Sequence, residues 1–192
     1  MFDYSEGQRV FIVGSSGSGK STHARVLTLK TPLHWLIIDP KNDVENIANW
    51  YVKHKKRVGT TEHASEIIKI TKYPYLIYTP LSHIDDDEID RILLDIHNRV
   101  NHVGILIDET YLLKNGKGIK SLLTRGRSKG QTIISCSQRP TVTPPVIRSE
   151  ASKIIIHRLT SPEDAVTMSK FSGFDLSEIK ALKKYDFLET TE

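Results

Sequence analysis

The sequence has a single cysteine, no internal repeat, no low-complexity tract and no long apolar run. One thiol excludes an internal disulfide, and because Cys136 lies inside an apolar stretch it is expected to be buried and inert, with a reactive thiol as the alternative. No run reaches the roughly 18 apolar residues that a bilayer crossing needs, and the opening MFDYSEGQRV lacks the basic-then-apolar pattern of a secretion signal. The expectation is a protein that works inside a cell without direct membrane insertion. His23, His34, His54, His63, His83, His97, His102 and His157 are scattered without metal-ligand spacing and are read as ordinary structural or surface residues. Nor is there a strong excess of either charge. Lys and Arg exceed Asp and Glu by 27 to 23, giving a net charge of +4, which is compatible with nucleic acid without demonstrating it.

A hydrophobic fraction of 38% and a charged fraction of 26% are those of a soluble globular protein, and 192 residues suit one domain better than two, so residues 1–192 are expected to form a single unit. Short β-branched runs alternate with helix-like segments, the pattern of an α/β fold in which a mainly parallel sheet carries helices on both faces. Candidate strands are Arg9–Val13, Trp35–Asp39, Tyr75–Tyr78, Gly104–Asp108, Gln131–Ser137 and Lys153–His157, with a terminal one at Tyr185–Glu189. The clearest helix is Asp85–Val100, where Ile89, Ile92, Leu93, Ile96 and Val100 recur on one face. Its acidic start, Asp85 to Glu88, is explained by the helix dipole, with a metal site as the sharper alternative. The basic run Lys53-His-Lys-Lys-Arg57 reads either as a DNA contact or as a solvated helix end.

Gly14-Ser15-Ser16-Gly17-Ser18-Gly19-Lys20-Ser21 matches G-x-x-x-x-G-K-[ST], the loop whose backbone N–H groups wrap nucleotide phosphates, and Thr22 follows it. The glycines permit backbone conformations closed to other residues. Lys20 is placed to reach the β- and γ-phosphates of ATP and Ser21 to ligate Mg²⁺, and a helix from about Lys20 to Leu29 aims its positive dipole end at the anion. The apolar strand Gly104-Ile-Leu-Ile-Asp108-Glu109 ends in two carboxylates. Asp108 is expected to hold Mg²⁺ through water and Glu109 to deprotonate the water that attacks the γ-phosphate, the bland alternative being a helix cap. Activated water serves hydrolysis and not phosphate transfer, so Glu109 speaks against a small-molecule kinase. Gln138 ends another strand, either as a sensor of the γ-phosphate or as a strand cap. Arg125 and Arg127 are candidates to neutralise transition-state charge, from a neighbouring subunit, or else belong to a basic surface loop or a DNA contact.

Together these motifs resemble the FtsK/HerA superfamily of ring ATPases. The resemblance rests on Gly14–Ser21, Leu36-Ile-Ile-Asp39-Pro-Lys41, Ile105–Glu109, Gly126-Arg-Ser-Lys-Gly-Gln131, Ser137-Gln-Arg-Pro140, Pro144-Pro145 and Ile156-His-Arg-Leu-Thr-Ser-Pro-Glu-Asp164. It implies a RecA/ASCE-like P-loop NTPase fold, Gln138 as the sensor, Arg127 ahead of Arg125 as the finger, and a homo-oligomeric ring, a hexamer or pentamer, around double-stranded DNA bound without sequence preference. Almost nothing precedes the first strand and the sequence stops soon after Asp186-Phe-Leu-Glu189. The expectation is therefore a stripped-down motor core with no winged-helix reader, membrane anchor or amino-terminal barrel. Such versions resemble the genome-packaging ATPases of icosahedral viruses with an internal membrane, which implies action in the host cytoplasm or on the virion, with a capsid vertex or membrane protein as partner. Cellular HerA-like or conjugation motors, a kinase and a nucleotide-dependent assembly protein are the alternatives.

Overall fold

The computed structural model describes residues 6–63, 65, 67, 70, 72–80 and 86–190. In chain order these form β1 (Arg9–Val13), α1 (Lys20–Lys30), β2 (His34–Ile38), α2 (Val44–Lys53), β3 (Val58–Thr61), β4 (Tyr75–Tyr78), α3 (Asp86–Arg99), β5 (Val103–Ile107), α4 (Lys117–Arg125), β6 (Thr132–Ser137), α5 (Pro145–Ser149), β7 (Lys153–His157), α6 (Pro162–Ser172), α7 (Leu176–Ala181) and β8 (Phe187–Glu189). The strands make one sheet in the order β3-β4-β2-β5-β6-β1-β7-β8. All pairings are parallel except β7 with β8, which is antiparallel.

Alternation along the buried strands explains why helices cover both faces. Phe11, Val13, Leu36, Ile38, Ile105, Ile107 and Ile133 point to one side, where they meet Ile89, Ile92, Leu93 and Ile96 of α3 and Ile119, Leu122 and Leu123 of α4. Val10, Ile12, Trp35, Ile37, Leu106, Ile134 and Ile155 point to the other, against Ala24 and Leu27 of α1 and Ile47 and Tyr51 of α2. Cys136 belongs to this second layer, with no exposed surface and its thiol pushed well above the usual range by burial.

The α/β expectation holds, as do the strands to within a residue or two. Asp39, Asp108 and Gln131 lie just beyond strand ends. Strand β3 is new. Val58-Gly-Thr-Thr61 is short, contains glycine and follows a basic run, so it lacks the apolar signal of its neighbours, as an edge strand can. The α3 stripe is as expected, with Ile89, Ile92, Leu93 and Ile96 buried and Val100 packed beside them. Asp85 and the side chain of Asp86 fall outside the described residues, and among those described no group of His, Cys, Asp and Glu is arranged to hold a metal. No helix among the described residues is long and apolar enough to cross a membrane.

The Gly126–Gln131 motif has a structural task. Gln131 is fully buried and donates to the Val100 carbonyl at 2.6 Å, while its Oε1 meets His97 Nδ1 at 2.9 Å. It thereby satisfies orphan carbonyls at the carboxyl end of α3.

Candidate active site at the carboxyl edge of the sheet

The strand order decides which side chains can meet. Because β6 lies between β1 and β5, the residue after β6 stands between the loop that follows β1 and the carboxylates that follow β5. In a parallel sheet all three face the same edge, where α/β proteins bind ligands.

The phosphate loop runs from β1 into α1 with Gly17 and Gly19 at φ 71° and 99°, in the left-handed region. Gly14 is different: its φ is ordinary, but a Cβ there would lie 2.5 Å from Ser18 Oγ and 2.7 Å from the Cβ of His157, so it is needed for close approach. The loop is pinned to the segment after β7. Ser15 N donates to the Arg158 carbonyl at 3.0 Å, and Thr160 N donates to Ser15 Oγ at 2.9 Å. Ser16, Gly17, Ser18 and Thr22 complete the turn and the first helical residues.

Glu109 is the centre of the site. It has no exposed surface and a left-handed backbone, φ 68° and ψ 54°, a conformation that costs a non-glycine residue about 1–3 kcal/mol. Its Oε1 receives Lys20 Nζ at 3.2 Å, Gln138 Nε2 at 2.5 Å and the Nζ of Lys41. Its Oε2 is buried and has no hydrogen-bond partner among the described residues. Burial pushes the Glu109 carboxyl upward, but the Lys41 hydrogen bond, the Lys20 charge and the Gln138 amide outweigh it and hold the group below its ordinary value. A carboxylate ionised at neutral pH with one buried oxygen uncommitted is suited to accept a proton.

Asp108 stands beside it. Ser21 Oγ donates to Asp108 Oδ2 at 3.0 Å, and Asp108 Oδ1 is buried without a partner among the described residues. A hydroxyl and a carboxylate side by side, one oxygen unsatisfied, fit Mg²⁺, which keeps several waters and takes only one or two protein oxygens.

Lys41 is the residue that sequence reasoning missed as part of the site. Asp39 accepts from the backbone N–H of Lys41 at 3.2 Å and of Asp43 at 2.5 Å, folding the turn after β2 so that Lys41 reaches Glu109. Burial lowers the Lys41 ammonium, but the Glu109 hydrogen bond and the Asp108 and Glu109 charges raise it above its usual value overall. Its signal was present in Leu36–Lys41, but a lone lysine after a strand does not reveal that β2 neighbours β5.

Gln138 is held from behind. Ser137 Oγ accepts from Arg139 N at 3.0 Å and from Thr143 Oγ1 at 2.8 Å, and buried Asp164 accepts from the N–H and hydroxyl of Thr141 at 3.1 and 2.6 Å. The motifs Ser137–Pro140 and Ile156–Asp164 thus fold into one support for the amide.

Arg125 and Arg127 are exposed at the opposite edge of the sheet. A Cβ on Gly7 would lie 3.1 Å from Arg127 Cγ, so Arg127 sits beside the start of β1. The seven residues to Gly14 put it roughly 23 Å from its own phosphate loop. Neither arginine can serve the site in its own chain. The basic run Lys53–Arg57 is exposed too, with Arg57 donating to the Lys72 carbonyl at 2.6 Å.

The ABC transporter family model matches residues 1–105, the half that contains the phosphate loop and stops short of Asp108. DNA packaging ATPase P9 of Enterobacteria phage PRD1 is 28% identical over 193 residues, 93% of this chain and 79% of that protein. The genome packaging NTPase B204 of Sulfolobus turreted icosahedral virus 2 has the same fold, at TM-score 0.75 and 23% identity, over 98% of this chain and 92% of B204. VirB4 of Thermoanaerobacter pseudethanolicus also shares it, at TM-score 0.66 and 9% identity, over 92% and 84%. The chain therefore belongs to the family that the ABC transporter model describes, and over most of its length it is similar to viral genome-packaging ATPases.

Proposed function

We propose that this protein is an ATP-hydrolysing motor that packages double-stranded viral DNA. The observation that carries the reading is buried Glu109, whose Oε1 is held by Lys20, Lys41 and Gln138 while Oε2 has no partner among the described residues, in a chain resembling a DNA packaging ATPase along most of its length.

In the reaction, backbone N–H groups of Gly14–Ser21 and the α1 dipole hold the triphosphate, and Lys20 leaves part of its contact with Glu109 to neutralise the β- and γ-oxygens. Ser21 and Asp108 would hold Mg²⁺, which would supply positive charge to offset that of the triphosphate. Glu109 Oε2 accepts the proton of a water as its oxygen bonds to the γ-phosphorus, and the bond from that phosphorus to the ADP oxygen breaks, releasing ADP and phosphate. Gln138 donates to Glu109 and adjoins Ser137, so its amide would transmit the presence of the γ-phosphate to Ser137–Thr143. Lys41 orients Glu109 and keeps it ionised.

The finer assignments follow from where the charges lie. Arg127, with Arg125 as the second candidate, is too far from its own loop and is assigned to the neighbouring subunit's nucleotide, which requires a homo-oligomeric ring, a hexamer or pentamer, built from this domain. Exposed basic residues facing the ring's channel would grip DNA phosphates, giving transport without sequence preference, and a capsid vertex or membrane protein would anchor the ring in the host cytoplasm or on the virion.

The test is steady-state ATP hydrolysis with and without double-stranded DNA at 50 and 300 mM salt, alongside mass in solution. DNA stimulation that fades with salt, together with a ring-sized mass, is the expected result. Hydrolysis indifferent to DNA by a monomer, with phosphate appearing on a nucleoside or nucleotide acceptor, would refute the motor.

A further inference from the structure

Between Gln138 and β7 the chain holds a cation that the hydrolytic step does not use. Gln138 leads into a short 3-10 turn, Pro140–Val142, and then into α5, which carries Arg148. The arginine folds back on that turn. Its Nη1 donates to the Pro140 carbonyl at 2.5 Å and to the Thr143 carbonyl at 2.7 Å, and its Cζ lies 5.3 Å from the centroid of the Phe171 ring on α6.

No ion pair accounts for this placement. Arg148 meets no carboxylate among the described residues, its Nε is buried without a hydrogen-bond partner among them, and burial lowers the guanidinium from its ordinary value. A partly buried cation without a counter-ion is unfavourable to the fold, and the two charge-assisted bonds to carbonyls are what offset it. Those carbonyls bracket the turn. Pro140 O otherwise receives only Thr143 N, at a long 3.4 Å. Thr143 Oγ1 in turn lies 2.8 Å from Ser137 Oγ and 3.1 Å from the Arg139 carbonyl oxygen, so the residues on either side of Gln138 are tied to Thr143, and Thr143 is tied to Arg148. The Thr141 bonds to Asp164 hold the same turn from α6, the helix that also carries Phe171.

We propose that Arg148 is a positioning residue for ATP hydrolysis: it clamps the Pro140–Thr143 turn so that the Gln138 amide stays on Glu109, and touches neither nucleotide nor water itself. The inference rests on the ATPase reading above. A displacement of about 1 Å in a positioned group can slow a reaction roughly a hundredfold. The phosphate loop lies outside the clamp, since its own anchors are the Arg158 carbonyl and Thr160. Loss of the clamp should therefore lower kcat and spare KM.

The experiment is steady-state ATP hydrolysis by the full chain and its Arg148→Met, Arg148→Lys, Gln138→Ala and Gln138→Ala/Arg148→Met variants, with equilibrium binding of ADP and Mg²⁺ as the check that the phosphate loop is folded. Arg148→Met should lower kcat about 10- to 100-fold with KM for ATP within about threefold of the parent. Arg148→Lys, whose ammonium has donors for both carbonyls, should keep a kcat well above that of Arg148→Met. The double variant should match Gln138→Ala within about threefold, because with the amide gone nothing is left to position. The proposal is overturned if Arg148→Met keeps the parental kcat, if its KM rises as steeply as its kcat falls, if Arg148→Lys is no better, or if the two losses multiply in the double variant. Loss of ADP binding in Arg148→Met would make Arg148 a general support of the fold and overturns it as well. A parent chain that binds ADP but does not hydrolyse ATP would instead sink the ATPase reading, and this inference with it.

Discussion

Replacing Glu109 by glutamine removes one charge and leaves the volume of the side chain, so it separates what Glu109 does chemically from what it does structurally. Loss of a general base slows proton transfer by about 10²- to 10⁴-fold, equivalent to roughly 3–5 kcal/mol on the barrier, because an amide oxygen cannot accept the water's proton. Nucleotide binding should move the other way. Lys20 is buried and joined to Glu109 at 3.2 Å, so a phosphate must share or displace that contact. A hydrogen bond between charged groups contributes about 1.5–3 kcal/mol, and releasing part of it in Glu109→Gln should tighten ATP about tenfold. The assay pairs single-turnover hydrolysis of radiolabelled ATP with equilibrium binding, using Lys20→Ala as the control that loses both. Hydrolysis by Glu109→Gln within tenfold of the parent would refute the general-base role, and ATP bound tenfold more weakly would refute the competition for Lys20.

Lys41→Met should cut kcat by at least tenfold and move the acid limb of the pH–rate profile upward, since Glu109 loses a neighbour that keeps it ionised; an unmoved limb would show that Lys41 acts elsewhere. Mixing Arg127→Ala with Lys20→Ala subunits should restore part of the activity that each lacks alone, because a junction formed by one intact face from each is complete; no recovery, with mixed oligomers demonstrated by mass, would remove Arg127 from the trans role. His157 lies at about 4 in the folded chain against 6.5 unfolded, so the unfolded state binds the extra proton first and stability falls as pH drops from about 6.5 to 4. The shift corresponds to roughly 3.4 kcal/mol at most, and solvent screening lowers it to about 2, so His157→Gln should flatten that part of a urea-denaturation pH series.

The motifs set by neighbours in the chain were legible from residue order. Gly14–Ser21 marks a phosphate loop because its glycines, lysine and hydroxyl act within eight consecutive residues, and the apolar runs of β1, β5 and β6 announce buried parallel strands. The pairing of Asp108 and Glu109 just beyond a strand's end was readable for the same reason. The tasks of Lys41 and Arg148 were not legible there. The first depends on which strands lie side by side, β2 next to β5 carrying Lys41 to Glu109, and the second on α5 folding back against the turn that precedes it. Local sequence encodes strands and turns through short-range sterics and apolar periodicity, whereas the strand order is settled by packing of α1 and α2 on one face and α3 and α4 on the other. The residues that meet across that order, 68 positions apart for Lys41 and Glu109, become neighbours only when the sheet is assembled.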